Sequence, residues 1–284
     1  MRIDKPLSLV GVDGAVLRGI ARDAFLRVLA PGVVIEGVRF ERIPRPDGAP
    51  SWGSGVVVEE AGVATVKRCS FVSIADGWVV EPQARLAAGE AWTHAGVDVR
   101  GTGHAVVEQC GFEACSTALS TSIYPADKEA NLAASGIVIQ GGVVGVKVTA
   151  NARVQLRDLS VSGADIAVKA DNGAQVTGDK WAIRAARVAI WVDEQASVNL
   201  KNADLDAETA GIVVRANANA SIKGGRIARA YAGAEVHGLG RLRLSDCEIA
   251  GVKLGIWACD AASAEVHALR FTGDPPEWGA YADG

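Results

Sequence analysis

The second half of the chain alternates apolar and polar residues in three short runs, and the runs recur every 22 residues. A small residue opens each unit, at Gly145, Ala167, Ala189, Gly211, Gly233 and Gly255. The units align without a gap, as in GVKVTANARVQLRDLSVSGADI, AIWVDEQASVNLKNADLDAETA and GAEVHGLGRLRLSDCEIAGVKL. Apolar side chains hold the second and fourth positions (Val146 and Val148, Ile190 and Val192, Ile212 and Val214). They also hold the tenth and twelfth (Val154 and Leu156, Leu242 and Leu244) and the fifteenth and seventeenth (Leu159 and Val161, Leu269 and Phe271). Alternation with period two over a few residues predicts strands, and no window carries a helical period long enough to compete.

Three strands joined by turns such as Asn151-Ala152, Asn172-Gly173 and Gly238-Leu239-Gly240 cannot form hairpins that keep each column in register. They can form one coil of a solenoid, with successive coils stacked at about 4.8 Å in parallel sheets. Asn and Gly at the turns supply the left-handed backbone that sharp corners need. The same phase runs upstream from starts at Ala24, Gly55, Gly77, Gly96 and Ala118. The expected fold is therefore all-β, a right-handed parallel β-helix of about eleven coils over residues 24–276, with 1–23 a partial coil or cap and 277–284 a terminal cap. In the coil from Ala24, Arg27 falls on an inward column unless a bulge puts Leu26 and Val28 there instead. At the tail, Asp274-Pro275-Pro276 reads as a strand stop, followed by Trp278 or Tyr281 as an apolar plug.

Composition agrees with many thin layers: 49% of the 284 residues are apolar, but only 5% are aromatic, with 33 Gly and one Met. The net charge of −4, with 29 basic against 33 acidic residues, gives no footprint for double-stranded nucleic acid. No apolar run reaches membrane-spanning length. Met1-Arg2-Ile3-Asp4-Lys5-Pro6 puts charges and a proline where a secretory leader has its apolar stretch, so the chain as given reads as cytoplasmic, or as secreted if a leader has been removed. Five cysteines without CxxC or Cys/His ligand spacing argue against a disulfide framework or a zinc site. Cys69, Cys110 and Cys247 fall at the inward fifteenth position and read as small buried side chains. Cys259, facing outward, and Cys115, at a turn, are the two candidate reactive thiols, and neither has a motif histidine beside it.

The coil pattern, as in GVVVEEAGVATVKRCSF (55–71), GVDVRGTGHAVVEQCGF (96–112) and LRVLAPGVVIEGVRF (26–40), resembles the right-handed parallel β-helix proteins of the pectin-lyase-like superfamily. That group includes polysaccharide lyases, polygalacturonases, alginate epimerases and carbohydrate-binding modules. The resemblance implies a fold and a polysaccharide partner. It carries over no activity, because neither the WIDH-type motif of pectate lyases nor the paired-Asp and His-Gly motifs of polygalacturonases occurs here. The capping helix usual in the group is also missing, which points to an open N-terminal end available to a capping partner or a second copy.

A site in such a fold belongs to outward columns and to breaks in the repeat. Three breaks stand out: residues 43–52 with Trp52, the irregular coil from Gly77 with Trp92, and the stretch near Tyr124. They leave the chain on either side of the first-strand sheet and would wall a groove. Its floor carries Glu59, Glu81, Asp98, Arg100, Lys147, Lys169, Asp171, Trp191, His237 and Trp257. Trp faces stack on pyranose rings and cations pair with uronate carboxylates. Within the floor, Arg100 or Lys147 is the candidate base for proton abstraction beside a uronate, with Asp98 next to it. Glu59, Glu81 and Asp98 are candidate Ca²⁺ ligands, no other cofactor being implied. The competing reading of these charges is an ion-pair ladder along the sheet. His94, His104, His237 and His267 have no metal-ligand spacing; of the four, His94 and His237 are the ones to test. The sequence thus supports a glycan-binding β-helix, with polyuronate lyase or epimerase activity as its sharper form. The alternative is a noncatalytic scaffold or assembly module.

Overall fold

A computed structural model of the chain describes residues 1–20, 23–43, 53–74, 95–122, 129–274 and 276–283. Every regular element among the described residues is a strand, and the strands pair in parallel. Strands pair with the equivalent strand one coil away: Ala95–Arg100 lies between Ser54–Val58 and Thr117–Ser122, and His104–Glu108 between Val63–Lys67 and Asn131–Gln140. This is a parallel β-helix of about eleven coils, three strands to a coil. The chain divides into two compact units, Met1–Lys147 and Val148–Gly284.

The inward columns are those the alternation predicts. In the second unit Val154, Leu156, Leu159, Val161, Ile190, Val192, Ile212 and Val214 are buried. In the first unit the column of the third strand is aromatic: Phe40, Phe71 and Phe112 stack with centroids 4.8 Å apart and planes within 5°, the strand spacing itself. These rings explain the glycines that open two of the first unit's coils, Gly55 and Gly96. A Cβ on Gly55 would stand 2.7 Å from the ring of Phe71 and 2.5 Å from the carbonyl oxygen of Gly96.

Many of the corners are turned by one residue or a pair in the left-handed region. One corner uses Asn151, Asn172, Gln195 and Asn217, and another uses Asp158, Lys180, Asn202 and Asp246. At the second kind of corner the chain bends with no loop at all, so Arg153–Ser162 supplies two faces of its coil as one continuous strand. Non-glycine residues pay about 1 kcal/mol for such backbone, which the ladder on both sides offsets.

Four expectations are corrected. Residues 1–23 are a full coil, not a partial one: Arg2–Ile3, Ser8–Val10 and Val16–Gly19 pair with the three strands of the next coil. The coil expected from Gly77 is not in the stack. Val97 pairs directly with Val56, so no strand stands between Ser54–Val58 and Ala95–Arg100; residues 75–94 lie outside the described residues. The gain at the start and the loss at Gly77 leave the coil count unchanged. Third, Leu26 pairs with Val56 and Val28 with Val58, so this coil opens at Phe25 and Arg27 points outward with no bulge. Fourth, Trp278–Asp283 is a strand that pairs with Leu254–Cys259, and Trp278 and Tyr281 are 56% and 43% exposed. Neither plugs the core: Leu269 is half-buried and Phe271 is exposed.

Candidate functional site

On the first-strand sheet the outward residues alternate with the core, and their fate differs between the units. In the first unit Val57, Asp98 and Ser120 point outward from neighbouring strands, yet all three are fully buried. Asp98 is thus not an open floor residue. Its Oδ2 accepts a hydrogen bond from Arg100 Nε at 2.6 Å, and its Oδ1 one from Ser122 Oγ at 2.9 Å. Burial raises the Asp98 carboxyl above the usual carboxylate range, with Arg100 and the two serines acting the other way. Arg100 Nη1 also faces Asp23 at 3.7 Å, Arg27 is ion-paired to Asp23, and Arg27 Nη1 meets Glu59 Oε1 at 2.8 Å.

The described charges here form the ladder that stacking of unlike charges predicts. Arg100, committed to two carboxylates, is a poor candidate base, because a guanidinium does not give up its proton in proteins. Glu59 and Asp98 have oxygens turned to guanidinium groups rather than to a shared cation position. Lys147 lies on Val144–Val148, which pairs with Thr117–Ser122. Trp52, Glu81, Trp92, His94 and Tyr124 lie outside the described residues. His104 is exposed.

In the second unit one column runs Lys169, Trp191, Val213, Glu235, Trp257 and Tyr281, each in register with the next. Lys169 pairs with Asp171 at 3.3 Å. Trp191 does not stand free as a platform. It packs against the apolar patch of Ile166, Val188, Ala210 and Val213, donates Nε1 to Asp193 Oδ2 at 3.3 Å, and has the Arg215 Cζ 5.6 Å from its ring centre. The ring thus lies within cation–π reach of the Arg215 guanidinium, and Arg215 has no carboxylate partner among the described residues.

Further along the column the aromatic rings gather. Trp257 meets His237 edge-on at 5.4 Å between centroids, and Tyr281 meets Trp278 edge-on at 5.6 Å. Repeat arithmetic could have found Tyr281, which is 24 residues after Trp257, but a proline-marked stop concealed the strand.

The same column-by-column reading exposes a second missed feature. His237 and Cys259 hold the fifth position of adjacent coils, 22 residues apart. The Sγ of Cys259 lies 2.9 Å from His237 Nδ1, and Nε2 of that ring faces Glu235 Oε2 at 3.5 Å. The expectation of no histidine beside Cys259 is corrected. Cys115, the other candidate thiol, is buried, and burial pushes its pKa up to about 12. Cys69, Cys110 and Cys247 are buried as expected. His267 is exposed and bonded to Glu265 at 2.7 Å.

No family model matches the chain, and no curated protein matches it. Among solved structures it is similar to a mutant of a periplasmic alginate epimerase, with a TM-score of 0.56 and 8% identity over 94% of this chain and 77% of that one. It is similar also to the tailspike of an Acinetobacter phage, with a TM-score of 0.56 and 12% identity over 99% of this chain and 56% of that one. A hyperthermoactive exopolygalacturonase from Thermotoga maritima gives a TM-score of 0.51 and 14% identity over 88% of this chain and 55% of that one. The chain therefore spans little more than half the length of two of these structures. At such identities the likeness is one of fold, and in fold the chain is a parallel β-helix.

Proposed function

We propose that the chain binds an acidic polysaccharide along the outward face of the first-strand sheet in the unit Val148–Gly284. The observation that carries this reading is the set of partly exposed aromatic rings Trp257, Tyr281 and Trp278 at one end of the column that holds Arg215 over Trp191 at the other. Trp191 and Trp257 are three strand spacings apart, about 14 Å, room for a short oligosaccharide. Rings of Trp and Tyr offer apolar faces to sugar rings while their polar edges stay wet, and a guanidinium beside an indole, without a carboxylate partner among the described residues, suits bidentate pairing with a uronate. Two of the structural neighbours are named for acidic polysaccharides, alginate and polygalacturonate, which is consistent with this ligand class.

The sharper form, a polyuronate lyase or epimerase working through Asp98, Arg100 and Lys147, has less support, because Asp98 is buried and Arg100 is paired. The test is titration calorimetry with a panel of polyuronate and neutral oligosaccharides, with ultraviolet absorbance recorded for unsaturated chain ends. Trp257→Ala should weaken binding at least tenfold, and Arg215→Gln should weaken binding to polyuronates selectively. Unchanged affinity in both variants would sink the reading, and new absorbance would restore the lyase. The alternative of an assembly module is favoured by one observation, the exposed Val10, Val12, Val16 and Ile20 of the first coil. It predicts sedimentation that rises with concentration, and a strict monomer would count against it.

A further inference from the structure

Cys259 is the only one of the five cysteines that is not buried. It sits on an outward column of a rigid sheet, Leu254–Cys259, held from both sides by its neighbours. Its Sγ lies 2.9 Å from His237 Nδ1, and the far nitrogen of that ring faces the Glu235 carboxylate at 3.5 Å. Nucleophile, base and orienting carboxylate thus stand in the order a thiol needs for activation. Trp257, on the same strand as the cysteine, limits the ring's tilt through its edge-on contact. We propose that Cys259 is a reactive thiol, with His237 as its proton acceptor and Glu235 as the group that orients the ring, and that it is a site of covalent modification by low-molecular-weight disulfides.

The step balances. The thiol proton passes to His237 Nδ1, and the thiolate attacks one sulfur of the disulfide RS–SR. The S–S bond breaks as the Cys259–S–S–R bond forms, and RS⁻ leaves with the electron pair and takes the proton back from His237. The Cys259 sulfur is oxidised and the leaving sulfur reduced, so the disulfide is the oxidant and no other reagent enters. One acidic group stands beside the thiol. Asp260 Oδ2 is 3.8 Å from Sγ and already accepts the backbone N–H of Gly238 at 3.2 Å. Asp283 is opposite Cys259 in register on the next strand, and Arg215 lies one strand beyond His237. Asp260 opposes a bare thiolate, whereas an imidazolium at 2.9 Å favours it. Distance decides for the nearer group, because attraction falls with separation.

Reaction of the full chain with dithiodipyridine tests this, with thiopyridone release followed from pH 6 to 9 and the modified residue mapped by mass. A thiol of ordinary pKa loses roughly 200-fold in rate between pH 9 and 6, as its thiolate fraction falls. The paired thiol should lose less than about tenfold, releasing one equivalent in the fast phase, from Cys259. Cys259→Ser should abolish that phase. His237→Ala, an outward position whose loss leaves the core untouched, should restore the steep profile while leaving the pH 9 rate within a few-fold. Glu235→Gln should slow the pH 6 rate alone. An ordinary profile in the parent chain, a profile indifferent to His237→Ala, or a fast phase mapping to another cysteine would each overturn the proposal. Because the readout needs no sugar, it is independent of the glycan reading.

Discussion

Trp181 occupies a column position that other coils give to smaller residues, Leu159 before it and Ala203 after it. It is 1% exposed and donates Nε1 to the carbonyl of Leu156 at 3.2 Å. Room for the indole comes from Gly178, which stands in register between Leu156 and Leu200. A Cβ there would come within 2.5 Å of the Cζ2 and Nε1 atoms of Trp181. One large ring therefore fills two side-chain positions, and the pair should be exchangeable only together.

Trp181→Leu alone should cost about 3 kcal/mol, since it opens a cavity the rigid stack cannot close. Gly178→Leu alone should cost about 3 kcal/mol by overpacking against the ring. Together they recreate the Leu156 and Leu159 arrangement of the preceding coil, and the double variant should cost only about 1–2 kcal/mol, most of it the lost indole hydrogen bond. The coupling is then about −4 to −5 kcal/mol, far larger in magnitude than the additivity error of about 0.5 kcal/mol for independent sites. Guanidinium denaturation followed by far-ultraviolet circular dichroism measures it, read as free energy where the slope is common to all four chains. A double variant whose loss equals the sum of the singles would show that Gly178 is not there for Trp181.

The remaining predictions concern the first unit. Asp98 has its folded pKa raised by burial, so the stability it contributes is present below its unfolded value near 3.9 and is lost as pH rises through the folded one. Asp98→Asn should therefore gain melting temperature relative to the parent chain between pH 4 and 8, and a parent chain that pulls ahead as pH rises would refute the assignment. Phe71 lies between two stacked rings, while Phe112 stacks on Phe71 on one side and stands in register with Ile139 on the other. Phe71→Ala should cost about 4 kcal/mol and exceed Phe112→Ala by about 1 kcal/mol, and equal losses in denaturation midpoints would dismiss the role of the stack.

The repeat was legible because a strand's side chains alternate and a solenoid maps equal spacing in sequence onto adjacency in space. Val146, Leu156 and Val161 announced their columns, and the fifteenth-position cysteines announced their burial. What the sequence could not decide was which stretches join the stack. Residues 75–94 carry a weak echo of the repeat, but Val97 finds a better ladder on Val56. Residues 1–23 carry almost no echo, yet they pair through backbone hydrogen bonds, which are indifferent to side-chain identity.

For the site, sequence position told which residues face outward but not which are open. Asp98 and Trp257 occupy the same column by arithmetic. Tertiary packing buries the first beneath the surface, with Arg100 as its partner, and leaves the second beside His237 in a half-open cluster. The 22-residue spacing of His237 and Cys259 was in plain view, but a spacing becomes an interaction only when the coil closes and brings Sγ within reach of the ring. Local alternation thus determined the direction of each side chain. Exposure, pairing and the thiol–imidazole contact depend on neighbours that only the folded coil supplies.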